Sequence, residues 1–336
     1  MAAPSAPTEA EIGRLLALLP RLRAEIGRAV VGQQAVVEEL LTAFVAGGHC
    51  LVEGLPGLGK TLLIRTLARA VQLDFHRIQF TPDLMPSDIV GTEVLEEDHS
   101  TGRRFFKFNQ GPLFGQIVLA DEINRTPPKT QAALLEAMQE RAVTYGGKTY
   151  ALPEPFFVLA TQNPIEQSGT YPLPEAQLDR FLLYLSIDYP AQGEEETMIS
   201  STTGSRTPTV DAVMTASDIL QLQALARQVA LSDDLLRYVV RVVRASRDRS
   251  LPYVERWVRW GAGPRAGQAL VLAAKARALL AGRFSVTLED VRALAAPVMR
   301  HRILLNFEAE AERIRPDDVV RELLGLVPEP TSPLSG

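Results

Sequence analysis

The run Gly54-Leu55-Pro56-Gly57-Leu58-Gly59-Lys60-Thr61 satisfies the spacing GxxxxGK[ST] in full. Glycines in such a turn let backbone N–H groups point inward around phosphate oxygens, and the helix that follows adds the positive end of its dipole. Lys60 is placed to reach the β- and γ-phosphates of ATP and the Thr61 hydroxyl to coordinate Mg²⁺, with Leu62 continuing the same helix. Further along, Ile117-Val118-Leu119-Ala120-Asp121-Glu122 sets two carboxylates behind an apolar run. Asp121 is the candidate metal-binding carboxylate, directly or through water. Glu122 is the candidate general base that orients and polarises an attacking water. On its own an apolar run ending in Asp-Glu is a weak signal; after a complete phosphate-binding turn it becomes a specific one.

These residues need a scaffold that brings strand ends together. Short apolar runs at His49–Glu53, Phe75–Phe80, Ile117–Ala120, Phe156–Ala160 and Phe181–Ile187 read as buried strands separated by helical patterns. They imply a five-stranded parallel sheet between helices. Leu15, Leu18, Leu19 and Leu22 recur at helical spacing, as do Val36, Val37, Leu40, Leu41 and Phe44. The expected organisation is an N-terminal arm over residues 1–20, partly disordered, and an α/β nucleotide-binding core over 21–190. A linker over 191–214 follows, with a short helix in Glu194–Ser200. A separate all-helical domain over 215–327 and a Pro-rich disordered tail over 328–336 complete the chain. Within the helical domain, Ser217-Asp218, Ser232-Asp233-Asp234 and Thr287-Leu288-Glu289-Asp290 mark helix starts.

Several further motifs stand in a fixed order. Val30-Val31-Gly32-Gln33 opens the core and Gly111-Pro112-Leu113 precedes the Asp-Glu strand. Ile123-Asn124-Arg125 and Ala160-Thr161-Gln162-Asn163-Pro164 follow, then Leu173-Pro174-Glu175-Ala176-Gln177-Leu178-Asp179-Arg180-Phe181, and much later Gly263-Pro264-Arg265-Ala266. Between residues 28 and 325 the chain resembles the AAA+ ATPases, in particular the MoxR family. The resemblance implies an AAA+ P-loop core with a helical lid that hydrolyses ATP with Mg²⁺ in a ring, expected to be a hexamer. Asn163 resembles sensor 1, which helps to place the water, though an Asn-Pro turn accounts for it too. Arg180 resembles the arginine finger supplied by the neighbouring subunit. Arg265 resembles sensor 2, contacting a phosphate within one subunit or across two. Val31 and Gly32 would line the adenine pocket, although core packing explains valines equally well. MoxR-like proteins typically work with a separate protein carrying a von Willebrand factor A (VWA) domain, as chaperones in cofactor insertion or complex assembly. A nucleic-acid-stimulated motor and the motor subunit of a metal chelatase are the alternatives.

Residues 82–113 and 141–152 resemble the two insertions of this group. The second reads as a β-hairpin about Gly146-Gly147; in related motors such elements grip the client, although surface decoration accounts for them too. Gln79, ending the second strand, is a candidate latch on Glu122. Arg241 to Arg265 is arginine-rich and contains Trp257 and Trp260, a pattern that can bind nucleic acid, a protein partner or the neighbouring subunit.

The bulk composition sets limits. The 336 residues are 46% hydrophobic and 22% charged with net charge −5, unlike a dedicated nucleic-acid binder. No apolar stretch is long enough for a spanning helix and the start lacks a secretory pattern, so a cytoplasmic protein is expected. Cys50, the single cysteine, excludes an internal disulfide and reads as a buried strand residue. The four histidines show no metal-ligand spacing.

Overall fold

The computed structural model describes residues 8–55, 57–97, 100, 102–163, 169–203 and 209–330, without the side chains of residues 201 and 202. Thr8 and Glu11 close a reciprocal cap that starts α1 (Glu9–Ala29), which buries Leu15, Leu19, Leu22 and Ile26 at helical spacing. The arm expected over residues 1–20 therefore ends inside a continuous helix, because the leucine stripe needs the core as its partner. After α2 (Gln34–Ala46) come β1 (Cys50–Gly54), α3 (Lys60–Ala70) and β2 (Phe75–Gln79).

The first insertion is α4 (Pro86–Val90) followed by an antiparallel hairpin of β3 (Gly91–Glu97) and β4 (Arg104–Gln110). Its base is tight: a Cβ on Gly91 would lie 2.2 Å from the Asn109 carbonyl, and one on Gly111 would lie 2.5 Å from that of Ile89. Only glycine fits there. Next come β5 (Ile117–Asp121) and α5 (Pro128–Glu140). The second insertion is the expected hairpin, β6 (Ala142–Tyr145) and β7 (Lys148–Ala151). Gly146 and Gly147 take φ of 57° and 77°, the mirror-image turn that suits strand twist. The two hairpins touch: Phe108 stacks on Tyr150 with ring centroids 4.4 Å apart and leans on Tyr145 at 5.3 Å. The α/β part ends with β8 (Phe157–Gln162), the short α6 (Glu175–Leu178) and β9 (Leu183–Ile187).

The central sheet is parallel throughout, in the order β2-β5-β8-β1-β9. Its strands start or end within two residues of the apolar runs that announce them. Cys50 is fully buried on β1. Because β1, β5 and β8 run the same way, their C-terminal ends share one edge of the sheet.

The expected linker holds a longer helix than its composition suggests, α7 (Gln192–Thr203), and its end is pinned where the Val213 and Met214 N–H groups reach the Ala70 carbonyl. The second domain contains α8 (Ala216–Gln228), α9 (Asp233–Ala245), α10 (Pro252–Trp257), α11 (Pro264–Leu280), α12 (Leu288–Met299), α13 (Phe307–Ala311) and α14 (Pro316–Leu326). Thr215 rather than Ser217 caps α8, in a box with Asp218. Ser232 and Thr287 cap α9 and α12 as expected. The domain is not wholly helical: β10 (Val258–Trp260) pairs antiparallel with β11 (Leu304–Leu305), a ladder too short for periodicity to reveal. It packs against α2 and β9 through α11, α8 and α12. In the tail, Pro328 accepts a bond from Arg241 and Glu329 pairs with Arg292 at 2.7 Å, so the described residues to 330 are tied down. Residues 331–336 of that tail lie outside the described set. No helix among the described residues is long and apolar enough to cross a membrane.

Candidate active site

At the C-terminal edge of the sheet, β1 turns into the phosphate-binding sequence. Gly57 and Gly59 hold φ of 83° and 76°, where a side chain would strain the backbone, and the Lys60 ammonium curls back to donate to the Gly54 carbonyl. Pro56 lies outside the described residues. Burial pushes the Lys60 pKa down, and Asp121, Glu122 and Glu53 oppose that shift, so the cation sits in the field of all three carboxylates. Thr61 is partly exposed on the first turn of α3, and Leu62 is exposed beside it. Gln33 spans from the start of α2 to the Leu58 carbonyl at 3.3 Å, fixing the Val31-Gly32 segment beside the turn. Gly32 also faces α7, where a Cβ would meet Glu194 at 2.9 Å.

The carboxylates end β5 on the same edge. Asp121 is 9% exposed and both its oxygens are engaged. Thr161, fully buried on β8, donates to Oδ1 at 2.7 Å, while Arg77 donates to Oδ2 from Nη2 at 2.6 Å and Nε at 3.1 Å. Glu122 sits in the left-handed region, φ 58° and ψ 49°, a conformation that costs about 1–3 kcal/mol for a residue with a side chain. The Thr161 hydroxyl also accepts the Glu122 N–H at 2.9 Å, so one hydroxyl holds the side chain of Asp121 and the backbone of Glu122. The Glu122 carboxylate takes Gln79 Nε2 and Arg125 Nη1, each at 2.9 Å, and Arg77 donates to Gln79 Oε1 at 2.7 Å. Strand β2 thus presents a linked Arg77–Gln79 pair to both carboxylates. The expected contact between Gln79 and Glu122 is present. Asn163 is buried at the end of β8, beside this cluster. Its neighbours 164–168 are outside the described residues.

Arg180 and Arg265 are elsewhere. Arg180 precedes β9, so it lies at the N-terminal edge, one strand length of about 17 Å from the phosphate-binding turn. It lines a cavity of about 290 Å³ with Arg265, Arg141, Arg302 and Gly48. Arg265, at the start of α11, points at Asp179 from 3.8 Å. The candidate residues therefore form two groups on opposite edges of one sheet: Lys60, Thr61, Asp121, Glu122 and Asn163 on one, Arg180 and Arg265 on the other.

Arg77, Thr161 and Arg302 contribute without any motif that assigns them a role. Arg77 and Gln79 alternate on β2 and so share a face, a hint that is readable only once β2 is known to flank β5. Thr161 looks like any strand threonine, and Arg302 like any surface arginine. In the basic stretch, Arg256 covers the buried Trp257 ring at 4.1 Å, Arg249 binds the Arg259 carbonyl and Arg241 that of Pro328. Trp260, by contrast with Trp257, is 75% exposed.

Residues 49–183 match the family model for ATPases associated with various cellular activities (AAA), and residues 253–323 the model for an AAA lid domain. The chain is 44% identical to chaperone MoxR1 of Mycobacterium tuberculosis over 93% of this chain and 82% of that one. It is 34% identical to protein MoxR of Methylorubrum extorquens over 92% and 94% of the two chains. A crystal structure of a candidate ATPase from Cytophaga hutchinsonii superposes with a TM-score of 0.88 at 40% identity, covering 96% of this chain and 98% of the other. With a P-loop core, an Asp-Glu strand end, a helical lid and these relatives, the chain belongs to the MoxR family of AAA+ ATPases.

Proposed function

We propose that the protein hydrolyses ATP in a homo-oligomeric ring, a hexamer, at sites shared between neighbouring subunits, and uses the cycle to remodel protein clients in the cytoplasm. The observation that carries this reading is the separation of Lys60, Asp121 and Glu122 from Arg180 and Arg265 across the sheet. Neither arginine is placed to serve its own P-loop, whereas a ring would bring the arginine edge of one copy to the phosphate edge of the next. This favours action in trans for both.

In the proposed site the P-loop N–H groups and Lys60 bind the β- and γ-phosphates. Asn163 helps to place the attacking water and Glu122 accepts its proton. Arg180 of the neighbour offsets charge that develops on the transferred group. Thr61 and Asp121 would hold Mg²⁺: one hydroxyl and one carboxylate suit a hard cation that keeps several waters and borrows phosphate oxygens. No cluster of three or more His, Cys, Asp or Glu able to hold a metal occurs among the described residues. When bound, Mg²⁺ neutralises phosphate charge.

Client handling is assigned to the hairpins, whose outer residues Phe105 and Phe106 are exposed, the latter by 71%. The mycobacterial relative is named a chaperone, and that role, with a separate VWA-domain partner, is proposed here too. The decisive experiment mixes Glu122→Gln subunits, which keep the finger, with Arg180→Ala subunits, which keep the base. Neither variant turns over alone; a shared site regains activity on mixing, and no regain at any ratio would refute it.

A further inference from the structure

Arg302 follows α12 in the helical domain, and its side chain is only 4% exposed. Its Nε donates to Asp179 Oδ1 at 2.7 Å. Its Nη2 donates to the carbonyls of Asp179 at 3.2 Å and Phe181 at 2.6 Å, and its Nη1 to those of Leu182, at 3.3 Å, and Val298. A guanidinium this deep is tolerated only when its donors and charge are satisfied, and here nearly all of that satisfaction comes from residues on either side of Arg180. The two preceding residues reinforce the grip. His301 contacts the Phe181 carbonyl at 3.2 Å and stacks on Tyr184 at 5.7 Å. Arg300 reaches the Tyr184 carbonyl at 3.1 Å while paired to Asp317 of α14 at 3.0 Å. The Arg180 side chain, by contrast, makes no ion pair or hydrogen bond among the described residues, so the backbone that carries it is what restrains it.

We propose that Arg302 is the positioning residue for Arg180: reaching over from the helical domain, it fixes the backbone on both sides of the finger, so the seating of that domain in one subunit sets the reach of the arginine offered to the next. The inference rests on the reading of Arg180 as a finger acting in trans. Its consequence is a direct mechanical route from one subunit's lid to its neighbour's chemistry, through three consecutive residues. A misplacement of about 1 Å at a reacting centre can cost about 10²-fold in rate, so the grip need not break to matter.

The test uses Arg302→Lys, which keeps the charge but loses the fork, and Asp179→Asn, which leaves Arg302 neutral acceptors but no counter-charge. Both should assemble, bind a fluorescent ATP analogue like wild type, and lose about 10²-fold in kcat with KM unchanged. Mixed with excess Glu122→Gln subunits, which carry an intact Arg180 and Arg302, the variant sites should recover at least tenfold, because their own P-loop is undamaged. A general folding defect would not be repaired by a neighbour. Arg180→Ala is mixed in parallel. If it recovers and neither Arg302→Lys nor Asp179→Asn does, Arg302 has no positioning role although the finger reading stands. If Arg180→Ala alone turns over like wild type, the finger reading itself falls. Should Arg302→Lys fail to assemble, Asp179→Asn decides between the same two outcomes.

Discussion

At one edge of the central sheet, two carboxylates are held by their own domain: Thr161, Arg77, Gln79 and Arg125 all belong to the α/β core. At the other edge the charged groups are arginines, and what holds their segment comes from the helical domain, through Arg300, His301 and Arg302. The first edge is built from within and set by the register of β2, β5 and β8. The second depends on how two domains meet. The edge proposed to bind phosphate and water is thus held within one domain, and the edge proposed to reach the neighbouring subunit rests on the contact between two.

That contrast can be broken at either edge. The largest effect is expected from Arg180→Ala, a loss of about 10³–10⁵ in kcat with nucleotide binding retained; a change under tenfold would leave the arginine edge without a catalytic part. Next is a pH effect at the same edge. His49, 6% exposed, accepts the Val158 N–H on Nδ1 and faces the Met138 carbonyl with Nε2, contacts that need the neutral ring. Burial pushes its pKa down to about 4, against about 6.5 in the unfolded chain. The unfolded state therefore binds the proton first, so stability is full above about pH 6.5 and falls as pH drops toward 4, by about 3 kcal/mol in all. Burial pushes Glu39 up to about 7, which acts in the opposite sense over this range. The quantity to measure is accordingly the urea-unfolding difference between wild type and His49→Gln, which should shrink across that window. A pH-independent difference would discard the assignment.

Smaller effects probe the carboxylate edge. Thr161→Val removes the bond to Asp121 and leaves the Glu122 N–H without an acceptor, for a loss of about 1.5–3 kcal/mol in transition-state stabilisation. Turnover should drop by one to two orders of magnitude and return with Thr161→Ser; equal loss in both would mean that packing, not the hydroxyl, matters. Smallest is Gln79→Ala, which frees one bond of about 1 kcal/mol on Glu122. Basal turnover should rise about fivefold while stimulation by clients shrinks. Unchanged basal and stimulated rates would remove the latch.

Legibility in the sequence followed locality. The phosphate-binding turn and the Asp-Glu strand end are contiguous runs, and the five strands and the Gly146-Gly147 hairpin could be placed nearly to the residue. Thr161 could not be singled out, because its partners sit across a strand pairing that no local pattern encodes. Arg302 was invisible for a related reason: its burial is created by a domain contact, and arginine in isolation reads as surface. The same holds for the start of α1, whose helix is justified by the core it covers, and for the β10–β11 ladder.

The aromatic contact between the two hairpins has a mechanical meaning. Strands of seven residues make β3–β4 an arm of about 20 Å, pivoting on the glycine base that leads back through α4 to β2. Because Phe108 is stacked on Tyr150, the second hairpin braces the first near its root. A client pulling on the tip would act on that brace as on a lever, turning a displacement of a few ångströms at the tip into a small rotation at the root. The strand to which that root leads back is the one whose Arg77 and Gln79 touch both carboxylates.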